Sequence, residues 1–122
     1  MAETVLLVED EDAIRTLLRT VLRRRGYLVI EAARGAEALN VSDHYAGHID
    51  LLMTDISMPQ MNGDELAMRL SQARPGTRIL FMSGLTEQAV QGDIAAHAAF
   101  IQKPFTPTTI AQNVRDVLDA RC

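Results

Sequence analysis

Five short apolar runs, each followed by a longer segment of helical character, constrain the fold of this 122-residue chain more than any other feature. The runs occupy residues 4–8, 27–30, 49–54, 78–82 and 98–101. They are nearly continuous in apolar residues, which is typical of strands buried on both faces of a parallel sheet. The segments between them repeat apolar residues every three or four positions, with the poorest spacing in residues 86–94. Right-handed crossovers between such strands predict a doubly wound three-layer α/β sandwich. We expect residues 1–122 to form a single domain.

Local signals mark the ends of several predicted helices. Gly26 follows the first helix as a C′ glycine would. Asn62 and Glu65 have the spacing of a capping box at the start of the third helix. Thr106 and Pro107 are expected to open the last helix as its N-cap and first helical residue.

Polar side chains follow the predicted strands at the edge where open α/β sheets bind ligands. Glu9 and Asp10 follow the first strand, Asp55 the third, Ser83 the fourth, and Lys103 the fifth. Clustered carboxylates repel one another, and a bound divalent cation would offset that repulsion. Mg²⁺ suits such a site because it prefers a few carboxylates together with waters and phosphate oxygens. A lysine supplies a point charge for phosphate, and a serine supplies a hydroxyl donor. The set predicts a phosphoryl-transfer site in which Asp55 is the nucleophile and becomes an aspartyl phosphate.

Each of these signals is weak when taken alone. The acidic run at residues 9–12 also suits a helix N-terminus, and this accounts for Glu11 and Asp12. A strand-end aspartate, a serine–glycine turn and a lysine–proline loop are all common without a function. It is their occurrence at successive strand ends that favours a site.

The composition argues against several classes of protein. A net charge of −4 leaves no basic field for nucleic acid, and the run Arg23-Arg24-Arg25 suits the end of a helix. No apolar run approaches membrane-spanning length, and no signal-peptide pattern is present. Cys122 is the sole cysteine, so an internal disulfide is excluded. We therefore expect a cytoplasmic protein without a membrane or nucleic-acid partner.

In these motifs the chain resembles the receiver domains of two-component response regulators, including the single-domain chemotaxis regulators. The matching motifs run through the whole chain in order: Val5-Leu6-Leu7-Val8-Glu9-Asp10-Glu11, Asp55, Met58-Pro59, Met61-Asn62-Gly63, Met82-Ser83-Gly84 and Lys103-Pro104-Phe105. The resemblance implies a flavodoxin-like (βα)5 sandwich with strand order 2-1-3-4-5. It also implies a signalling phosphoacceptor that catalyses only its own phosphorylation and slow dephosphorylation.

The resemblance implies a role for each site residue. Asp55 would accept the phosphoryl group from a phosphohistidine on a sensor histidine kinase or a histidine phosphotransfer protein. Asp10, Asp55 and the backbone carbonyl of Ser57 would bind Mg²⁺ directly, and Glu9 would act through a metal-bound water. Lys103 would contact the phosphoryl oxygens, and its bond to proline is expected to be cis.

The resemblance also implies a switch. Ser83 would hydrogen-bond the phosphoryl group, and Phe100 would rotate into the space that Ser83 leaves. The face of helix four, strand five and helix five would then change, and a downstream protein or a second copy of the chain could bind there.

Several alternatives remain open from the sequence. The chain could be a complete regulator, or a receiver cut from a hybrid sensor histidine kinase and acting as a relay or phosphate sink, since residues 100–107 resemble such receivers. An aspartate-nucleophile phosphatase would need an aspartate where Ser57 stands. A flavodoxin-like cofactor binder would need a phosphate loop in place of the acidic run. A receiver that only binds partners would not need the intact site.

Overall fold

The computed structural model describes residues 2–84 and 98–120. Five strands form one parallel sheet in the order β2-β1-β3-β4-β5, which confirms the predicted topology. The strands are β1 Thr4–Val8, β2 Leu28–Ala32, β3 Leu51–Asp55, β4 Arg78–Ser83 and β5 Ala98–Gln102. The helices described are α1 Asp12–Arg24, α2 Gly35–His44, α3 Gly63–Ala73 and α4 Pro107–Asp119. The predicted helix at residues 86–94 lies outside the described residues.

The sheet is covered on both faces, as the continuous apolar runs predicted. Side chains of β1 and β3 alternate between two hydrophobic clusters, one under α2 and α3 and the other under α1 and α4. Every residue of β1 and β3 is buried. Burial of the central strands on both faces fixes their register, so the polar residues that follow them are held at one edge.

Two of the predicted helix ends are confirmed. Gly26 follows α1 with a φ of 91°, a backbone conformation that glycine adopts without steric cost. Thr106 is the N-cap of α4, where its hydroxyl accepts a hydrogen bond from the Thr109 N–H at 3.1 Å. Pro107 is the first residue of that helix.

The capping box predicted for α3 is wrong. Asn62 is the N-cap residue, but its side chain makes no cap hydrogen bond. Glu65 instead pairs with Arg69 one turn later at 2.6 Å, so its carboxylate does not fold back to the cap. The Gly63 N–H donates to the carbonyl of Ile56 at 2.6 Å, so the loop after β3 satisfies the helix start.

Strand boundaries differ from the prediction by one or two residues. The third strand begins at Leu51 rather than residue 49, although the Asp50 N–H still donates to the carbonyl of Thr4.

Among the described residues, no helix is long and apolar enough to cross a membrane.

Candidate functional site

The carboxyl edge of the sheet brings together the acidic residues that the sequence predicted. Glu9 and Asp10 follow β1, and Asp55 is the last residue of β3. One carboxylate oxygen from each of the three lies within 4.8 Å of the other two. Glu9 and Asp55 are buried, whereas Asp10 is exposed. The arrangement is a cluster of carboxylates with one side open to solvent.

Lys103 reaches into this cluster from the loop after β5. Its Nζ lies 2.6 Å from Asp55 Oδ1 and 3.3 Å from Glu9 Oε1. The Lys103 N–H donates to the carbonyl of Ser83 at 2.8 Å, which fixes the loop against the end of β4. The Lys103–Pro104 peptide bond is cis, as predicted. Because the lysine contacts two buried carboxylates, it offsets part of their mutual repulsion.

The donor set fits a hard divalent cation. Three carboxylates and one ammonium leave a formal charge of −2 in a small volume. Glu9 Oε2 is buried and accepts no hydrogen bond from the residues that the structure describes. Such an oxygen is costly to bury without a cationic or hydrogen-bonding partner. Carboxylate oxygens on a partly open site are the ligands that Mg²⁺ prefers.

The loop after Asp55 is held by backbone contacts that the sequence analysis did not identify. The Ile56 N–H donates to the carbonyl of Met82 at 3.2 Å, which extends the pairing of β3 with β4 by one residue. Gly63 packs so closely against this loop that a Cβ at its position would overlap the carbonyl of Asp55. The sequence contains one indication of this contact, which is the glycine at the start of the helix. Glycine often marks a close approach of two backbone segments.

The remaining predicted residues lie on β4, on β5 and in the loop after β3. Ser83 is half-buried at the end of β4, one residue past Met82, which is paired with Asp55. Ser57 is exposed, two residues beyond Asp55. Phe100 is 44% exposed on β5, with its ring centroid 5.4 Å from that of the buried Phe81. The roles of Ser57, Ser83 and Phe100 stay predictions, and the helix-four part of the predicted output face lies outside the described residues.

Comparison with known proteins agrees with this architecture. A model of the response regulator receiver domain matches residues 5–115. Sensor kinase CckA of Brucella abortus is 40% identical over 118 residues, which are 95% of this chain and 12% of that protein. The chain spans less than half of the transcriptional regulators that it also matches.

Solved structures of receiver proteins also match this chain along most of its length. The receiver domain of hybrid histidine kinase CckA is 35% identical, with a TM-score of 0.74 over 95% of this chain and 99% of that one. Chemotaxis response regulator CheY4 of Vibrio cholerae is 29% identical, with a TM-score of 0.84 over 96% of this chain and 99% of that one. This chain therefore belongs to the response regulator receiver domain family of two-component signalling systems.

Proposed function

We propose that this chain is a phosphoacceptor module in which Asp55 receives a phosphoryl group from a phosphohistidine. The observation that carries the proposal is the contact of Lys103 Nζ with Asp55 Oδ1 inside a cluster of three carboxylates. A buried nucleophilic carboxylate beside a cation suits phosphoryl transfer, where charge neutralisation and positioning supply most of the catalysis.

In the proposed step, a carboxylate oxygen of Asp55 attacks the phosphorus of the phosphoimidazole. An O–P bond forms as the P–N bond breaks, and the leaving nitrogen keeps the bonding electron pair and takes up a proton. Lys103 then moves its ammonium from the Asp55 carboxylate to a phosphoryl oxygen, a short displacement because the phosphoryl group is now bonded to that carboxylate. Ser83 donates a hydrogen bond to another phosphoryl oxygen.

The carboxylates of Asp10 and Asp55 and the carbonyl of Ser57 would hold Mg²⁺ directly, and Glu9 would act through water. When bound, Mg²⁺ neutralises the charge that develops on the phosphoryl oxygens. The burial of Glu9 and its 3.3 Å contact with Lys103 support an indirect role, since its carboxylate is already shared with the lysine.

We also propose that phosphorylation is read out through Ser83 and Phe100. Movement of Ser83 toward the phosphoryl group would free space at the end of β4, and Phe100 would then rotate inward. The partial exposure of Phe100 and its contact with buried Phe81 support this, because the ring lies between solvent and the core. A downstream protein or a second copy of the chain would bind the changed face.

We propose that residues 1–122 act as one receiver unit in the cytoplasm, with a sensor histidine kinase or histidine phosphotransfer protein as partner. Receiver domains are signalling modules, and sustained turnover of outside substrates is not expected here. The phosphatase alternative is disfavoured because Ser57 stands where a second aspartate would serve as general acid.

Intact-mass measurement after incubation with acetyl phosphate tests the proposal. We expect one phosphoryl adduct on the wild type with Mg²⁺, and none without Mg²⁺ or in Asp55→Asn. Asp43→Asn, at an exposed position on α2, is the matched control and should be modified like the wild type. An adduct of equal yield in Asp55→Asn would refute Asp55 as the acceptor.

A second candidate is a phosphorelay role of the kind found in hybrid kinases. Its support is the 40% identity to the Brucella sensor kinase. A relay receiver should pass its phosphoryl group back to a histidine phosphotransfer protein within minutes of mixing. A receiver used as an output switch should keep the adduct and change its binding surface instead, and radiolabel transfer between purified proteins separates these outcomes.

A further inference from the structure

Arg15 ties the acidic loop between β1 and α1 to the body of the domain. Its Nη1 donates to the carbonyl oxygen of Glu9 at 2.8 Å, and its Nη2 donates to Asp12 Oδ1 at 2.6 Å. Its Nε lies 3.5 Å from Glu31 Oε1 on β2. One guanidinium therefore contacts both ends of the loop that carries Asp10.

The bond to Glu9 has a particular importance because Glu9 lies just past the end of β1. The Glu9 N–H donates to the carbonyl of Ala32 at 3.2 Å, and the residue is fully buried. Its carbonyl needs a donor there, and Arg15 supplies one. The N-cap of α1, Glu11, makes no side-chain cap hydrogen bond, so the loop lacks that common form of support.

We propose that Arg15 is a positioning residue for the acidic site. By fixing the backbone of Glu9 and the first residue of α1, it holds the carboxylates of Glu9 and Asp10 at the spacing that a divalent cation requires. This inference rests on the proposed Mg²⁺ site. Side chains that orient metal ligands commonly contribute 10- to 100-fold in metal affinity.

Charge and geometry predict opposite effects at this position. If Arg15 acted only as a nearby positive charge, its removal would strengthen the binding of a cation. If it acts by holding the loop, its removal weakens binding. A lysine keeps the charge but lacks the rigid fork whose two nitrogens separately contact Glu9 and Asp12, so it should fail to restore binding.

Arg19 provides a matched control. It carries the same charge one turn further along α1, and its Nη1 bonds the carboxylate of Glu31 at 2.9 and 3.1 Å rather than the acidic loop. Replacing Arg19 therefore removes an equal charge from the same helix face and leaves the bonds to Glu9 and Asp12 in place.

The test is an NMR titration of the unphosphorylated protein with Mg²⁺, for the wild type, Arg15→Lys, Arg15→Gln and Arg19→Gln. We expect both Arg15 variants to bind about tenfold more weakly than the wild type. Arg19→Gln should bind no more weakly than the wild type. Urea unfolding of each variant separates loss of affinity from loss of the fold.

Amide hydrogen exchange without metal gives an independent readout. Residues 9–12 should exchange faster in both Arg15 variants and at the wild-type rate in Arg19→Gln. Unchanged or tighter Mg²⁺ binding in Arg15→Gln, or unchanged exchange in the loop, overturns the inference while leaving the Mg²⁺ site intact. A wild type that binds no Mg²⁺ overturns the proposed metal site, and the positioning role with it.

Discussion

Lys103 Nζ lies 2.6 Å from Asp55 Oδ1, so the loop after the last strand reaches the carboxylate at the end of the central strand. The two residues are 48 positions apart, and the parallel order of β3, β4 and β5 brings them together. The contact places a cation on the atom group that we propose as nucleophile. Because of this contact, we expect the stability of the folded site to depend on the Lys103 ammonium.

Replacing Lys103 by methionine should destabilise the protein by about 1–3 kcal/mol in the absence of Mg²⁺, because two buried carboxylates lose their shared cation. Added Mg²⁺ should narrow the difference from the wild type, because the cluster without Lys103 is more negative and binds the cation more tightly. Urea unfolding with and without Mg²⁺ measures both effects.

The control for this variant is Arg69→Met, which breaks the exposed pair with Glu65 and should cost less than about 1 kcal/mol. Equal losses in the two variants, unaffected by Mg²⁺, would mean that Lys103 is an ordinary surface lysine.

Replacing Gly63 by alanine should disturb the loop that follows Asp55. The new Cβ overlaps the carbonyl of Asp55, so the loop after β3 must shift. We expect a loss of at least about 2 kcal/mol of stability and a slower reaction with acetyl phosphate. Gly76→Ala is the matched control, because the nearest atom to its Cβ is His48 Cε1 at 3.9 Å. Equal behaviour of the two variants would contradict the close approach.

Arg74 should stabilise the connection between α2 and β3. Its guanidinium donates to the carbonyls of Ser42, Tyr45 and Gly47 at 2.7–2.9 Å, near the C-terminal end of α2. Arg74→Ala should cost about 2–3 kcal/mol, the range expected for hydrogen bonds to a charged group. Arg74→Lys should recover less than half of that, because an ammonium cannot reproduce the planar fork. Thermal unfolding measures the loss, and a full recovery by lysine would show that charge alone matters.

Ser83 should be needed for the response of Phe100 but not for modification of Asp55. Ser83→Ala removes the hydroxyl that we expect the phosphoryl group to attract, so Phe100 should keep its exposed position. Fluorine NMR of protein labelled with 4-fluorophenylalanine reports on Phe100 among the three phenylalanines of the chain. The wild-type Phe100 signal should shift on phosphorylation, and the Ser83→Ala signal should not. A shift of equal size in both would disprove the coupling, and Ser83→Thr should preserve it.

The sequence was sufficient to predict the sheet and the acidic site for a physical reason. Continuous apolar runs such as residues 4–8 are compatible with few alternatives to buried parallel strands. Polar residues directly after such strands must meet at one edge, so Asp55, Glu9 and Lys103 could be placed together without a structure.

Contacts that depend on side-chain direction could not be predicted in the same way. Arg15 lies on an amphipathic helix and Arg74 directly follows one. Nothing in their spacing distinguishes them from the exposed Arg69. The capping box predicted at Asn62 was wrong, and the carboxylate of Glu65 pairs with Arg69 instead. Three-dimensional packing decides which of several nearby groups a side chain contacts, and a sequence pattern carries no information about that packing.

The most direct test of the central claim is to map the phosphoryl group chemically. After reaction with acetyl phosphate and Mg²⁺, borohydride reduces an acyl phosphate of aspartate to homoserine, which peptide mass spectrometry locates. We predict homoserine at position 55, in the wild type and only when Mg²⁺ is present. Homoserine at another aspartate, or modification of position 55 that is independent of Mg²⁺, would contradict the account.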